Sequence, residues 1–114
     1  PVSVDDWLVF ANESVVQERG NYAQYVPQWD KLVPSEKILY LPFSMIKTNP
    51  LAVLRSVEIL VGLQTGNYRH IHQPIHASPD TDVPTALREY LGKLLEPQTR
   101  FLVQRFGTEF ARQT

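Results

Sequence analysis

The chain has 114 residues, 43% of them hydrophobic and 20% charged, which suits one small globular domain and argues against general disorder. Eleven basic against twelve acidic side chains leave a formal net charge of -1, so no basic field draws the chain to a phosphate backbone and nucleic acid is not an expected partner. The absence of cysteine excludes disulfides, thiolate metal sites and thiol nucleophiles, and no apolar run approaches the roughly 20 residues of a bilayer span.

Ser3 precedes Asp5 and Asp6, which places a hydroxyl at an N-cap and two carboxylates in a first turn, where the helix dipole favours negative charge. Val4, Leu8, Ala11 and Val15 recur at steps of three and four, with Trp7 and Phe10 widening the stripe. The pattern predicts one helix over residues 4–18, stopped by Gly20. From Asn21 the residues Tyr22, Tyr25, Val26, Trp29, Leu32 and Val33 repeat the helical spacing. Pro27 lies inside this second helix, so either a kink or a restart with Pro27 in the first turn is expected.

Residues 38–43, Ile-Leu-Tyr-Leu-Pro-Phe, form an apolar run too short for a helix and rich in strand formers. The run does not alternate, which is the pattern of a strand covered on both faces, as in a parallel sheet, and Pro42 marks its end. Asn49-Pro50 then opens a helix with Leu51, Leu54, Val57 and Val61 on one face and Gly62 as its stop. Residues 63–83 hold Gly66, Pro74, Pro79 and all three histidines without sustained period. A loop of that length in a small domain is expected to carry a site. Pro84 opens a further helix with Leu87, Tyr90, Leu91, Leu94 and Leu95 inward, and Pro97 a last one with Phe101, Leu102 and Phe106 before Gly107.

Several helices and one buried strand do not close a fold, because the edges of a strand need ladder partners. Either the chain is part of a larger α/β domain, or the reading of 38–43 as a strand fails and the chain is an all-α bundle. Pro1 in place of a methionine, with a helical pattern beginning almost at once, points to a processed or excised piece.

Few residues carry chemistry on their own. His72 and His76 have the spacing of helical metal ligands, but Pro74 opposes that helix, and a site would need a third ligand such as Asp80 or Asp82. No metal is expected. Arg69 beside His70 reads either as an anion contact or as an ordinary surface arginine. The helix-proline-helix end, with Arg100 and Arg105, lacks the turn glycine of a helix-turn-helix. Tyr22, Tyr25 and Trp29 read as packing aromatics. Neither a phosphate-cradling glycine loop, a Gly-x-Ser-x-Gly elbow nor a carboxylate pair is present.

The order of two segments adds a resemblance. Gly20-Asn21-Tyr22-Ala23-Gln24-Tyr25-Val26-Pro27-Gln28-Trp29 comes first, then Ile38-Leu39-Tyr40-Leu41-Pro42-Phe43 with Lys47-Thr48-Asn49-Pro50 and Leu60-Val61-Gly62-Leu63. This order resembles the C-terminal half of the PAPS-dependent sulfotransferases over residues 2–63, and residues 84–110 are similar to that family's closing helices. The resemblance implies the C-terminal part of a three-layer P-loop-type α/β sandwich, mostly helices around one buried parallel strand, with residues 1–114 as part of a single domain. It implies transfer of a sulfuryl group from 3′-phosphoadenosine 5′-phosphosulfate (PAPS) to a hydroxyl or amine by in-line displacement.

Carried over by position, Phe43 falls where the family sets an aromatic against the adenine. Tyr22 and Tyr25 fall on the helix that faces the acceptor, and Arg69 and His70 lie in the loop that brings basic groups to the cofactor. Ser44 and Met45 stand where the family has an acidic pair. The family's phosphosulfate loop, catalytic base and 3′-phosphate arginine and serine all precede the matched region, so no catalytic residue is assigned here. The expected partners are the missing N-terminal half and an acceptor of unknown class, and the isolated chain is expected to be inactive. Cysteine-free composition favours a cytoplasmic setting. The alternative is a self-contained helical protein-interaction module without catalysis.

Overall fold

The computed structural model describes residues 2–75, 77–79 and 81–114. Ser3 caps the first helix as its position implies. Its hydroxyl accepts from the Asp6 amide at 3.1 Å, and the Asp6 carboxylate accepts from the Ser3 amide, which closes a capping box. Helix α1 (Val4–Ala11) then ends early. The Asn12 side-chain amide donates to the Leu8 carbonyl at 2.7 Å, while its Oδ1 accepts from the Tyr90 hydroxyl at 2.6 Å. Glu13 is extended, so α2 (Ser14–Arg19) starts anew and ends at Gly20. The single helix expected over 4–18 is therefore two. Apolar spacing continues across the break, but an asparagine side chain that competes for a ladder carbonyl leaves no trace in that spacing.

Helix α3 (Tyr22–Leu32) runs through Pro27 without the restart considered above. Gln98 supports its first turn, accepting from the Ala23 amide at 2.8 Å and donating to Asn21 Oδ1 at 3.1 Å. After a 3-10 turn (Ser35–Lys37) and the segment 38–43 come the short α4 (Met45–Thr48) and α5 (Pro50–Val61). Asn49 caps α5 by accepting from the Ala52 amide at 3.2 Å, and Gly62 closes it at φ 71°, a left-handed conformation that would strain any residue with a Cβ. Helices α6 (Thr85–Leu94), α7 (Glu96–Phe106) and α8 (Thr108–Gln113) complete the chain, α8 being separated from α7 by Gly107.

Segment 38–43 is where expectation and structure part. Ile38 has the extended conformation of a strand (φ -124°, ψ 137°), yet the described residues are mostly helical and contain no strand ladder. Among them, neither the N–H nor the C=O groups of Ile38, Leu39, Tyr40 and Leu41 meet a backbone partner. The segment is not covered on both faces either: Pro42 is buried, but Leu39 is exposed and Phe43 is 75% exposed.

Side chains hold the segment instead. The Tyr40 hydroxyl donates to Asp30 Oδ1 at 3.0 Å, and Arg105 Nε donates to Asp30 Oδ2 at 3.2 Å. The Arg105 guanidinium lies 4.6 Å from the centre of the Phe106 ring and 5.7 Å from that of Tyr40, within cation–π range. Phe106 stacks on Phe110 at 4.4 Å. The Ser44 amide, just past the segment, donates to the Gln113 carbonyl at 2.9 Å.

Helix α3 packs on α7, α1 on α6, and α8 folds back on α7, while α5 packs chiefly on α4. The core these contacts enclose is thin: among the described residues Ala11, Val26, Leu87 and Leu102 are buried, as is Pro42. The radius of gyration is 17.0 Å, against about 13 Å for a compact domain of this length. The accessible surface is 9369 Å², against roughly 6,400 Å² for a folded monomer of this mass. Much of the excess is apolar. On α5 the face that spacing predicts as inward shows Leu51, Val57 and Val61 exposed, and Trp29 and Leu32 on α3 are exposed as well. No helix among the described residues is long and apolar enough to cross a membrane.

Leu102 is 7% exposed and Leu32 78%. Leu102→Ala is expected to cost about 2–4 kcal/mol and Leu32→Ala no more than about 0.5 kcal/mol, read from denaturant unfolding followed by circular dichroism. Equal costs would contradict the core described here.

Candidate functional site

The residues singled out by sequence occupy three places. Tyr22 and Tyr25 lie one turn apart at the start of α3, 40% and 38% exposed. Phe43 lies in the turn that leads into α4 and is 75% exposed. Arg69 and His70 lie in a turn closed by the Gln73 amide donating to the His70 carbonyl at 3.0 Å, and both are exposed. Phe43 precedes α4, whereas the loop leading to Arg69 is fastened at Glu58, on the last turns of α5. Among the described residues these five side chains share no hydrogen bond and no ion pair. His76 and Asp80, weighed above as metal ligands, lie outside the described residues, and among those described no three histidine or carboxylate groups gather as a metal site would require.

The most developed polar constellation centres on a residue that periodicity passed over. Glu58, on the last turns of α5, is 5% exposed and is the buried charged side chain of the described core. Its Oε1 accepts from the Tyr68 hydroxyl at 2.6 Å and from the Gly66 amide at 2.7 Å, and its Oε2 accepts from Arg55 Nη1 at 2.8 Å. Arg55 Nη1 also donates to the Gly66 carbonyl at 3.1 Å. Glycine at 66 suits this approach, since a Cβ there would lie 3.1 Å from the Tyr68 ring and 3.2 Å from Glu58 Oε1, so that both side chains would have to give by a few tenths of an ångström. The arrangement staples residues 66–68 onto α5, and a carboxylate so surrounded by donors keeps its charge despite burial.

Electrostatics follow from these contacts. The Tyr68 hydroxyl, then Arg55 and the Gly66 amide, hold the Glu58 carboxyl down at about 2, while burial acts in the opposite direction. The same hydrogen bond to Glu58 pushes the Tyr68 phenol above its ordinary value. At the second cluster the hydrogen bond from Arg105 lowers the Asp30 carboxyl, helped by Tyr40. Burial, with the Asp30 contact, raises the Tyr40 phenol.

An apolar cleft of about 320 Å³ opens between α1 and α6, walled by Trp7, Phe10, Val16, Val83, Leu87 and Leu91. Trp7 and Phe10 meet edge to face in its wall at 6.3 Å. None of the residues assigned by resemblance lines it.

Because the Glu58 carboxyl sits below its ordinary 4.5, its contribution to stability is fully present above about pH 4.5 and is lost as pH falls toward 2. Wild type should therefore lose thermal stability through that window more steeply than Glu58→Gln, which has no proton to take up. Parallel pH profiles of the two melting temperatures would contradict the staple.

Compared with protein-family models, with curated proteins and with solved structures, the chain finds no match in any of the three.

Proposed function

We propose that the chain is the C-terminal portion of a PAPS-dependent sulfotransferase domain and that residues 38–43 form one inner strand of its parallel sheet. The observation that carries the reading is the apolar segment 38–43, whose residues 38–41 have no backbone partner among the described residues and which is set between a Gly-aromatic-Trp helix and an Asn-Pro helix. Unpaired amides in an apolar run favour completion by neighbouring strands. The excess surface supports the same reading: roughly 3,000 Å² beyond a compact monomer exceeds the roughly 800 Å² that one partner contributes to a standard interface.

In the complete domain the donor would supply the sulfuryl group, transferred in line to a hydroxyl oxygen or amine nitrogen of the acceptor as the bond to the donor's phosphate breaks, adenosine 3′,5′-bisphosphate leaves and the acceptor's proton passes to a base outside these residues. This chain's part is to bind and orient. Phe43 offers an uncovered aromatic face for a purine, Arg69 and His70 offer donors for an anion, and Tyr22 and Tyr25 face the acceptor. Tyr22, Tyr25 and Phe43 are accessible for these roles. The second reading, a self-contained helical interaction module, draws on the absence of a ladder among the described residues. The thin core counts against it, since the buried apolar residues among those described, Ala11, Val26, Pro42, Leu87 and Leu102, are few for an independent fold.

The full-length gene product should bind adenosine 3′,5′-bisphosphate in a calorimetric titration, and Phe43→Ala should weaken that binding about tenfold, the loss of one stacked aromatic. The isolated 114-residue chain should show neither tight binding nor sulfation. A full-length protein that ignores the nucleotide, or an isolated chain that turns over, would remove this reading.

A further inference from the structure

We propose that Glu58 is a positioning residue: by stapling Gly66 and Tyr68 to α5, it presents the adjoining turn, residues 69–72, as a pre-formed contact for a phosphate group of an adenosine bisphosphate. The inference rests on the sulfotransferase reading for the identity of the ligand, and on the geometry of the staple for everything else.

The turn has the charge for an anion. Between Glu58 and Asp80 the sequence has no carboxylate, while it holds Arg69, His70 and His72 within four consecutive positions. Their side chains are exposed, as a ligand contact requires. Guanidinium and imidazole N–H groups in one turn suit phosphate oxygens, to which an arginine can donate twice.

What an exposed turn lacks is order, and order is what Glu58 supplies. Residues 63–68 have no helix or strand to hold them. The backbone immediately before Arg69 is instead fixed at both Gly66 groups, the amide by Glu58 Oε1 at 2.7 Å and the carbonyl by Arg55 Nη1 at 3.1 Å. Tyr68, the neighbour of Arg69, is fixed by its hydroxyl at 2.6 Å. Pre-organising a charged turn in this way removes the ordering cost that a mobile loop would meet on binding. A carboxylate that carries no ligand contact of its own thus governs one that does.

The test uses the full-length protein, titrated with adenosine 3′,5′-bisphosphate, with Glu58→Gln, Tyr68→Phe and Arg69→Ala beside wild type and Arg88→Ala, an exposed arginine on α6, as control. Arg69→Ala should weaken binding about tenfold or more, the loss of a charge-assisted contact. Tyr68→Phe and Glu58→Gln should weaken it by roughly three- to tenfold, and Arg88→Ala should leave it unchanged. In turnover the two staple variants should raise the donor KM while leaving kcat and the acceptor KM in place, a split that general destabilisation does not produce. Amide hydrogen exchange over residues 64–72 should quicken in both.

If wild type does not bind the nucleotide, the sulfotransferase reading falls and this inference with it. If wild type binds, exchange quickens in the staple variants and their affinities match wild type, the positioning role alone is overturned. Should Glu58→Gln fail to fold, Tyr68→Phe, which deletes one oxygen, decides the matter by the same readouts.

Discussion

A backbone amide and its carbonyl must be paired with something, and in an apolar stretch the partner of choice is another strand. Residues 38–41 leave both kinds of group without a backbone partner among the described residues, and much of the remaining structure can be understood around that demand. The Tyr40–Asp30–Arg105 contacts tie the segment to α3 and α7 through side chains, leaving its edges open. Both flanking helices keep apolar residues exposed, Trp29 and Leu32 on one and Leu51, Val57 and Val61 on the other. A chain that buries only a few side chains yet forms most of its residues into helices, two of them with side-chain caps, has the local half of a fold without the long-range half.

Local order here is strong because it depends on few residues at short range. The capping box at Ser3 and Asp6, the Asn49 cap and the left-handed Gly62 each resolve a helix end by contacts within four residues. Long-range order rests on a few polar ties instead: Gln98 to the start of α3, Tyr90 to Asn12, and Arg105 to Asp30. An exposed pair such as Arg105–Asp30 contributes modestly on its own, but stacking of the guanidinium against two rings fixes its direction.

Such caps were also the most legible part of the sequence. Ser3-Asp6, Asn49-Pro50 and Gly62 announce helix ends by residue type and position, and the structure uses all of them. Asn12 was not legible, because its amide breaks a helix by reaching the Leu8 carbonyl and a distant tyrosine, and apolar spacing is silent about both. Periodicity showed which faces of α3 and α5 are apolar, but it carries no information on whether this chain supplies the cover. Glu58 left one faint signal: an acidic residue near a helix C-terminus, where the dipole disfavours negative charge, calls for a donor nearby. The donors proved to be Arg55 on the same helix and Gly66 and Tyr68 beyond it, and only the path of the chain brings the last two back.

The hydrogen bond from the Ser44 amide to the Gln113 carbonyl joins the middle of the chain to its last helix. During translation the 38–43 segment therefore leaves the ribosome long before the residue that ties its C-terminal end to the last helix has been made. At roughly 5–20 residues per second, a lag of roughly 70 residues lasts on the order of 4–14 s. Throughout that interval the nascent polypeptide displays a sticky, edge-exposed stretch, the kind of sequence that chaperones exist to shield.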